Sequence, residues 1–303
     1  MAPQAKIIVV GATGLLGSQI VSGLLDRGEA VRALVRPGLT GEKKDAISAL
    51  QARGLEVVEG DITDPVDRLA ERLDGIETVI SAVQGGPETI EDGQVNLLRA
   101  AEKAGATRFI PSDFAIDIFK LDIGDNFMID MRKRAAQRFE GTSLKVISVL
   151  NGAFLEVMTT FMQIVDWEKN TFSHWGDPDQ PQDLTTVKDT AAYTVAAALD
   201  ASLPAGPLRF AGDVVSMRQF HAAVERATGR KLEFKTLGTA DELRAEIERR
   251  AAKTENPFEY VALQYQWGMV NGKAKFDTLD NARYPEVKPT STEEFVRATA
   301  PSA

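Results

Sequence analysis

The chain has 303 residues, 44% of them hydrophobic and 26% charged, the balance of an ordinary water-soluble protein, and its length leads us to expect one large or two unequal domains. A formal net charge of -9 argues against a nucleic-acid-binding surface, and without a membrane-length apolar run or a signal-peptide pattern a cytoplasmic protein that does not engage membranes is expected. With no cysteine and only His174 and His221, disulfides, thiolate ligands and cysteine nucleophiles are excluded, and no metal centre is expected.

Residues 6–10 form an apolar run, which reads as a buried strand. It runs into Gly11-Ala12-Thr13-Gly14-Leu15-Leu16-Gly17, and apolar residues then recur at helical spacing. Strand, glycine turn and helix thus arrive in the order that a dinucleotide site needs. The first glycine permits a tight turn, Gly14 lets the backbone approach a pyrophosphate, and Gly17 lets helix and strand pack closely. Free N–H groups at the helix start, around Thr13, Leu15 and Leu16, attract the anion. A plain tight turn is the alternative, and the position at the head of a βαβ unit weighs against it.

A second strand, 30–35, ends at Arg36. An acidic residue about 20 residues past the glycine motif accepts the ribose hydroxyls of NAD. An arginine there instead pairs with a 2′-phosphate, which favours NADPH over NADH. Lys43 and Lys44 follow, either as part of that clamp or as a solvated helix start. A third strand, 55–58, leads to Gly60-Asp61-Ile62, where Asp61 and Ile62 would lie beside the adenine unless Asp61 merely caps the next helix. The fourth strand, 78–83, ends in Ser81-Ala82-Val83-Gln84-Gly85-Gly86, small residues where a cofactor would pass. After a helix at 91–105, the fifth strand, 108–110, ends in Pro111-Ser112-Asp113-Phe114. A sixth, 145–151, ends at Asn151, whose amide would bond the nicotinamide carboxamide or substrate, or else cap a turn. The alternation predicts an α/β, Rossmann-type doubly wound parallel sheet with a ligand crevice at its strand C-termini. We expect this NAD(P)-binding domain to span 1–153 and a smaller α/β substrate domain 154–303.

The glycine motif, Arg36, Gly60-Asp61 and Phe109-Ile110-Pro111-Ser112-Asp113-Phe114 resemble the NmrA-like and isoflavone reductase-like group of atypical short-chain dehydrogenases, which includes phenylcoumaran benzylic ether and pinoresinol-lariciresinol reductases. Arg283-Tyr284-Pro285-Glu286-Val287-Lys288-Pro289-Thr290 with Thr292-Glu293-Glu294-Phe295 is similar to that family's closing motif. The resemblance implies hydride transfer from NADPH to a small aromatic, phenylpropanoid or lignan-like substrate at a carbonyl or benzylic ether. It implies cofactor contacts at Ala82, Val83, Gln84, Ser112, Phe114 and Asn151. It also implies a catalytic lysine at the start of the helix after Phe114; counting back from Asn151 puts that position nearest Arg132, with Lys133 adjacent.

The two candidates differ in chemistry. Lys133 can exchange a proton if its helix turns it inward, whereas Arg132 can polarise a carbonyl or stabilise an oxyanion but cannot act as a base. A basic surface stripe is the plainer reading of both. Lys120 is a third candidate, and Asp113 replaces the family's glutamate. No Tyr-x-x-x-Lys pair stands in this part of the chain. A rival reading is therefore a non-catalytic regulator that senses NADP(H), as NmrA-like proteins do.

The second half contains a Met/Phe-rich stretch, 154–167, which is either the wall of an aromatic pocket or plain core. By the resemblance, a helix at 186–200 packs back on the dinucleotide domain. An aromatic segment, 257–270, is either a lid or a subunit contact, and a homodimer is one arrangement the sequence allows.

Overall fold

A computed structural model describes residues 4–301. In chain order its first elements are β1 (Ile7–Val10), α1 (Leu15–Asp26), β2 (Val31–Val35), α2 (Gly41–Gln51), β3 (Glu56–Glu59), α3 (Val66–Arg72), β4 (Thr78–Ser81), α4 (Gln94–Lys103), β5 (Arg108–Ile110), α5 (Phe127–Arg138) and β6 (Lys145–Leu150). There follow β7 (Ala153–Phe154), α6 (Leu155–Thr159), β8 (Val165–Asp166), β9 (Thr171–Trp175), β10 (Gln182–Thr185), α7 (Val187–Leu199) and β11 (Gly206–Arg209). The last are β12 (Asp213–Val215), α8 (Met217–Thr228), β13 (Glu233–Gly238), α9 (Ala240–Ala251), α10 (Val261–Val270) and α11 (Thr292–Thr299).

Seven strands form one sheet in the order β11-β6-β5-β4-β1-β2-β3. The pairings from β3 through β6 are all parallel, and the order reverses after β3, where the chain returns past β1 to lay down β4. The doubly wound, Rossmann-type fold expected from the alternation is therefore borne out. Its central strands are buried along their whole length because helices cover both faces, and apart from Arg32 in β2 and Thr78 and Ser81 at the ends of β4 every residue of β1, β2 and β4 is apolar. The Arg32 guanidinium is satisfied by Glu56 Oε1 at 2.8 Å and by the carbonyls of Arg72 and Asp74.

Two compact units result, and they do not meet at a single cut at residue 153. The first comprises 1–113, 131–149 and 190–208, and the second 114–130, 150–189 and 209–303. Residues 114–130 go with the second unit because Ala115, Ile116, Ile118, Leu121 and Ile129 share a core with Leu155, Phe172, Met217 and Phe295. The second unit carries two three-stranded sheets, β12-β10-β7 and β13-β9-β8.

Most of α7 belongs to the first unit, and Arg108 ties it there. This side chain is 8% exposed and donates to the carbonyls of Ala198 at 2.6 Å and Asp200 at 2.9 Å, satisfying the C-terminal end of α7. Arg108→Met takes this donor from the buried Ala198 carbonyl, while the Asp200 carbonyl keeps the Leu203 N–H, and is expected to cost about 2 kcal/mol, read as a lower urea midpoint at unchanged slope. Among the described residues no helix is long and apolar enough to cross a membrane, and no group of three or more metal-ligating side chains is found.

Candidate active site

The site is built where β2, β1 and β4 end. Val10 pairs with Leu34 on one side and Ser81 on the other, so the glycine turn lies between the ends of its two neighbours. Gly11 has φ +88°, and a Cβ there would stand 2.4 Å from the Ala82 carbonyl oxygen. At Gly17 a Cβ would stand 2.2 Å from the Gly11 oxygen. Only hydrogen fits at either position. The Gly14 N–H donates to the Gly11 carbonyl at 2.9 Å, closing the turn, and Gly14 is the N-cap of α1 with no side-chain cap. The N–H groups of Leu15 and Leu16 at the head of α1 consequently have no acceptor within the helix. Thr13 is half-buried beside them, and the Leu15 side chain is 66% exposed. The cradle suits a pyrophosphate, because it offers donors and leaves backbone open where a side chain would block approach.

Arg36 follows β2 directly and is exposed, as are Lys43 and Lys44 in the first turn of α2. No carboxylate pairs with these three side chains among the described residues, so their charges are available to an anion. Asp61 and Ile62 are differently employed. Asp61 Oδ1 accepts from the N–H and hydroxyl of Thr63, which makes it the cap of its own turn. Ile62 is 5% exposed and its side chain packs over Gly93, which leaves its backbone and not its side chain at the strand end.

Ala82 and Val83 are half-buried at the end of β4, and Gln84 is exposed. Ser112, after β5, staples that edge. Its hydroxyl donates to the Val83 carbonyl at 2.7 Å, its N–H donates to Gln94 Oε1 at 2.6 Å, and its carbonyl accepts the Arg132 Nε–H at 3.0 Å. Gln94 is a participant that the sequence reading missed. A π-helical turn, Glu88–Gly93, precedes α4 where a regular helix was expected from 91, and Gln94 emerges from it fully buried. The available signal was a glutamine among the apolar residues Val95, Leu97 and Leu98.

The helix α5 presents Arg132 and Lys133 unequally. Its start is fixed in the second unit by Asn126, whose Oδ1 accepts from the N–H groups of Met128 and Ile129, and by Gln264, which accepts from Phe127 N–H. Within the first unit, Arg132 is 6% exposed and bound to Ser112, whereas Lys133 is half-buried. Arg134 and Arg138 pair with Glu91 and Asp92 and form the solvated face of the helix. The basic stripe is thus Arg134 and Arg138, and Arg132 is not part of it. Lys120, in the second unit, is bound to Asp277 and the Lys275 carbonyl, both at 2.6 Å.

Asp113 lies next to Ser112 with no exposed surface. One oxygen accepts the Ser148 hydroxyl at 2.8 Å and the other has no partner. Burial pushes its carboxyl up to about 6, against the opposing pull of Ser148 and the Arg132 charge.

Phe114 and Asn151 lie in the second unit. Phe114 is 7% exposed. The Asn151 side chain is wholly buried, and neither its amide nitrogen nor its oxygen has a hydrogen-bond partner, so it does not cap a turn. Near it in sequence, Glu156 accepts the Val187 N–H, and burial together with the Asp189 charge raises its carboxyl. The Met/Phe stretch divides: Met158 and Met162 are core, beside a narrow cavity lined also by His174, Trp175 and Met217, while Phe161 is 51% exposed. The aromatic segment becomes α10, with Arg244 stacked 4.6 Å over Trp267.

The model of the NmrA-like family matches residues 3–296. The chain belongs to the NmrA-like family. It is 27% identical to the isoflavone reductase of Pisum sativum over 98% of this chain and 99% of that protein. To the bifunctional pinoresinol-lariciresinol reductase of Forsythia intermedia it is 26% identical, over 97% and 98% of the two chains. The solved structure of AtPrR2 with NADP+ and (+)pinoresinol superposes with a TM-score of 0.84 at 20% identity, covering 98% of this chain and 99% of that one. The family inferred from the Phe109–Phe114 and Arg283–Thr290 motifs is thereby established.

Proposed function

We propose that this member of the NmrA-like family is an NADPH-dependent reductase that delivers hydride to a small aromatic substrate of phenylpropanoid or lignan type, at a carbonyl or benzylic ether carbon. The observation that carries the reading is the anion cradle between β1 and α1 with an unpaired arginine at the end of the adjoining strand. In this reading the backbone from Gly11 to Gly17 holds the pyrophosphate, Arg36 and Lys44 take the 2′-phosphate, the backbone at Asp61 and Ile62 flanks the adenine, and Ala82, Val83, Gln84 and Ser112 line the path to the nicotinamide. NADPH, when bound, supplies the hydride. Arg132 supplies a fixed positive charge that stabilises the oxygen on which negative charge develops. The relatives' names, isoflavone reductase and pinoresinol-lariciresinol reductase, support the reductase class and the aromatic substrate.

One observation favours a second reading, an NADP(H)-binding regulator that turns nothing over. The residue nearest the family's lysine is an arginine, which cannot exchange a proton, and Lys120 is held by Asp277. Titration with NADPH and NADH, followed by a panel of aromatic ketones, quinones and benzylic ethers, separates the two. The reductase oxidises NADPH with at least one member of the panel; binding without oxidation by any of them supports the regulator. In the same titration Arg36→Asp is expected to weaken NADPH by about 50-fold, a loss of about 2 kcal/mol, and to leave NADH nearly unchanged. An unchanged preference removes Arg36 from the site.

A further inference from the structure

At the head of α4 stands a glutamine with no exposed surface, and both ends of its amide are engaged. Gln94 Oε1 accepts the Ser112 N–H at 2.6 Å, and Nε2 donates to the Ile90 carbonyl at 3.1 Å. The second bond is a product of the π-turn. In a regular helix the Gln94 N–H would donate to the Ile90 carbonyl; here it donates to Glu91, and the side chain bonds Ile90. Held at its nitrogen, the amide keeps its oxygen facing Ser112.

The same turn grips α5. Glu91 pairs with Arg134 at 2.8 Å and Asp92 with Arg138 at 2.6 Å, both on the solvated side, where ion pairs hold weakly. The inner tie runs from Gln94 to the Ser112 N–H and from the Ser112 carbonyl to the Arg132 Nε–H at 3.0 Å. Each of its members is buried. The Ser112 hydroxyl, on the Val83 carbonyl at 2.7 Å, is its remaining anchor. Without the Gln94 oxygen the buried Ser112 N–H loses its acceptor, and the loop that carries the Arg132 acceptor is left hanging on the hydroxyl bond.

We propose, resting on the reductase reading, that Gln94 is a positioning residue for Arg132: it fixes the Ser112 backbone in the orientation that places the guanidinium for the developing oxyanion. Gln94 acts through Ser112 and Arg132 and touches no reacting atom. A displacement of about 1 Å at a preorganised group costs up to about 100-fold in rate, so loosening this loop is felt in kcat before it is felt in affinity.

The test compares Gln94→Met, which keeps the length and drops the acceptor, with Gln94→Glu, which keeps an oxygen facing Ser112; each is made alone and in Arg132→Ala. The readouts are kcat, the dissociation constant of NADPH, and hydrogen exchange at the Ser112 amide in the protein without cofactor. Gln94→Met should lower kcat about 20-fold, leave NADPH affinity within about threefold, and quicken exchange at Ser112 by about tenfold or more. In Arg132→Ala the same substitution should cost less than about twofold further, because the group through which Gln94 acts is already gone. Gln94→Glu should return kcat to within about threefold of wild type and restore the slow Ser112 amide. A glutamine that served only the fold would lower kcat by the same factor with or without Arg132, and that additivity overturns the proposal. So does a folded Gln94→Glu that keeps the Ser112 amide slow yet loses about tenfold or more in kcat, a result that stands even where Gln94→Met does not fold. A wild type that binds NADPH and reduces no substrate overturns the reductase reading itself, and the role of Gln94 with it.

Discussion

Gly17→Ala should weaken NADPH by at least about 100-fold while the circular dichroism of the folded chain is retained. The methyl group would sit 2.2 Å from the Gly11 carbonyl oxygen, 2.8 Å from its carbon and 3.2 Å from Ala12 Cα. All three are backbone atoms, so no side chain can swing aside to relieve the contact. Gly11 cannot yield either, because it is in the left-handed region and lies against the Ala82 carbonyl. What must move is the first turn of α1, by about 1 Å if ordinary contact is to be restored. That displacement carries the Leu15 and Leu16 N–H groups away from the pyrophosphate position. Ile20, Val21 and Leu24 are fully buried on the same helix and keep its later turns in place, so the fold survives with a lower melting temperature. Gly14→Ala is the internal control. Its methyl would meet the Gly11 oxygen at 3.3 Å, a contact that a small shift relieves, and the loss of affinity should be several-fold smaller. Equal losses from the two variants would show that Gly17 matters for exposure rather than for packing.

The legible part of this fold is the part whose burial is uniform. β1 and β2 stand out as Ile-Ile-Val-Val and Val-Arg-Ala-Leu-Val because a parallel strand covered on both faces is apolar at nearly every position, Arg32 being the exception. The glycine turn was legible because its function demands a residue without a side chain. Other features depend on tertiary structure that no local pattern encodes. Residues 114–130 are as apolar as a dinucleotide-domain loop would be, and nothing in Ile116, Ile118 or Leu121 says which of two cores they join. The π-turn at Glu88–Gly93 adds one residue to a helical turn and shifts the register by which Gln94 faces inward. The two-residue strands β7 and β8 are too short for a period to show. Arg132 and Lys133 are adjacent in sequence and separated by about 100° around the helix, so the choice between them lay in how Asn126 and Gln264 set the start of α5. The methionines were ambiguous for the reason given at the outset: thioethers serve core and pocket alike, and Met158 and Met162 serve the core.

Arg132→Ala should lower kcat by about 100-fold with NADPH affinity changed less than about threefold, and Lys133→Ala should lower it only a few-fold. The asymmetry follows from where the two side chains are held. Arg132 is buried and its Nε–H donates to the Ser112 carbonyl, which is itself stapled to β4 through the Ser112 hydroxyl, so its charge is fixed relative to the strand ends before any ligand arrives. Lys133 is half-buried and so more open to solvent, where a charge is screened and held less rigidly. A charge fixed in a site of low water content lowers the barrier without a cost of reorganisation, and a residual rate from proximity alone remains when it is gone. Arg132→Lys discriminates further. Lysine keeps the charge but lacks the planar donor that meets Ser112, and should recover a minor part of the rate; it also brings a proton that arginine withholds. Should Arg132→Lys exceed wild type, the site lacks an acid and not a fixed charge. Infrared titration supplies the last discriminator. Removing the Arg132 charge takes away one of the two influences that hold the Asp113 carboxyl down, so in Arg132→Ala that carboxyl should titrate at higher pH than the wild type's value of about 6.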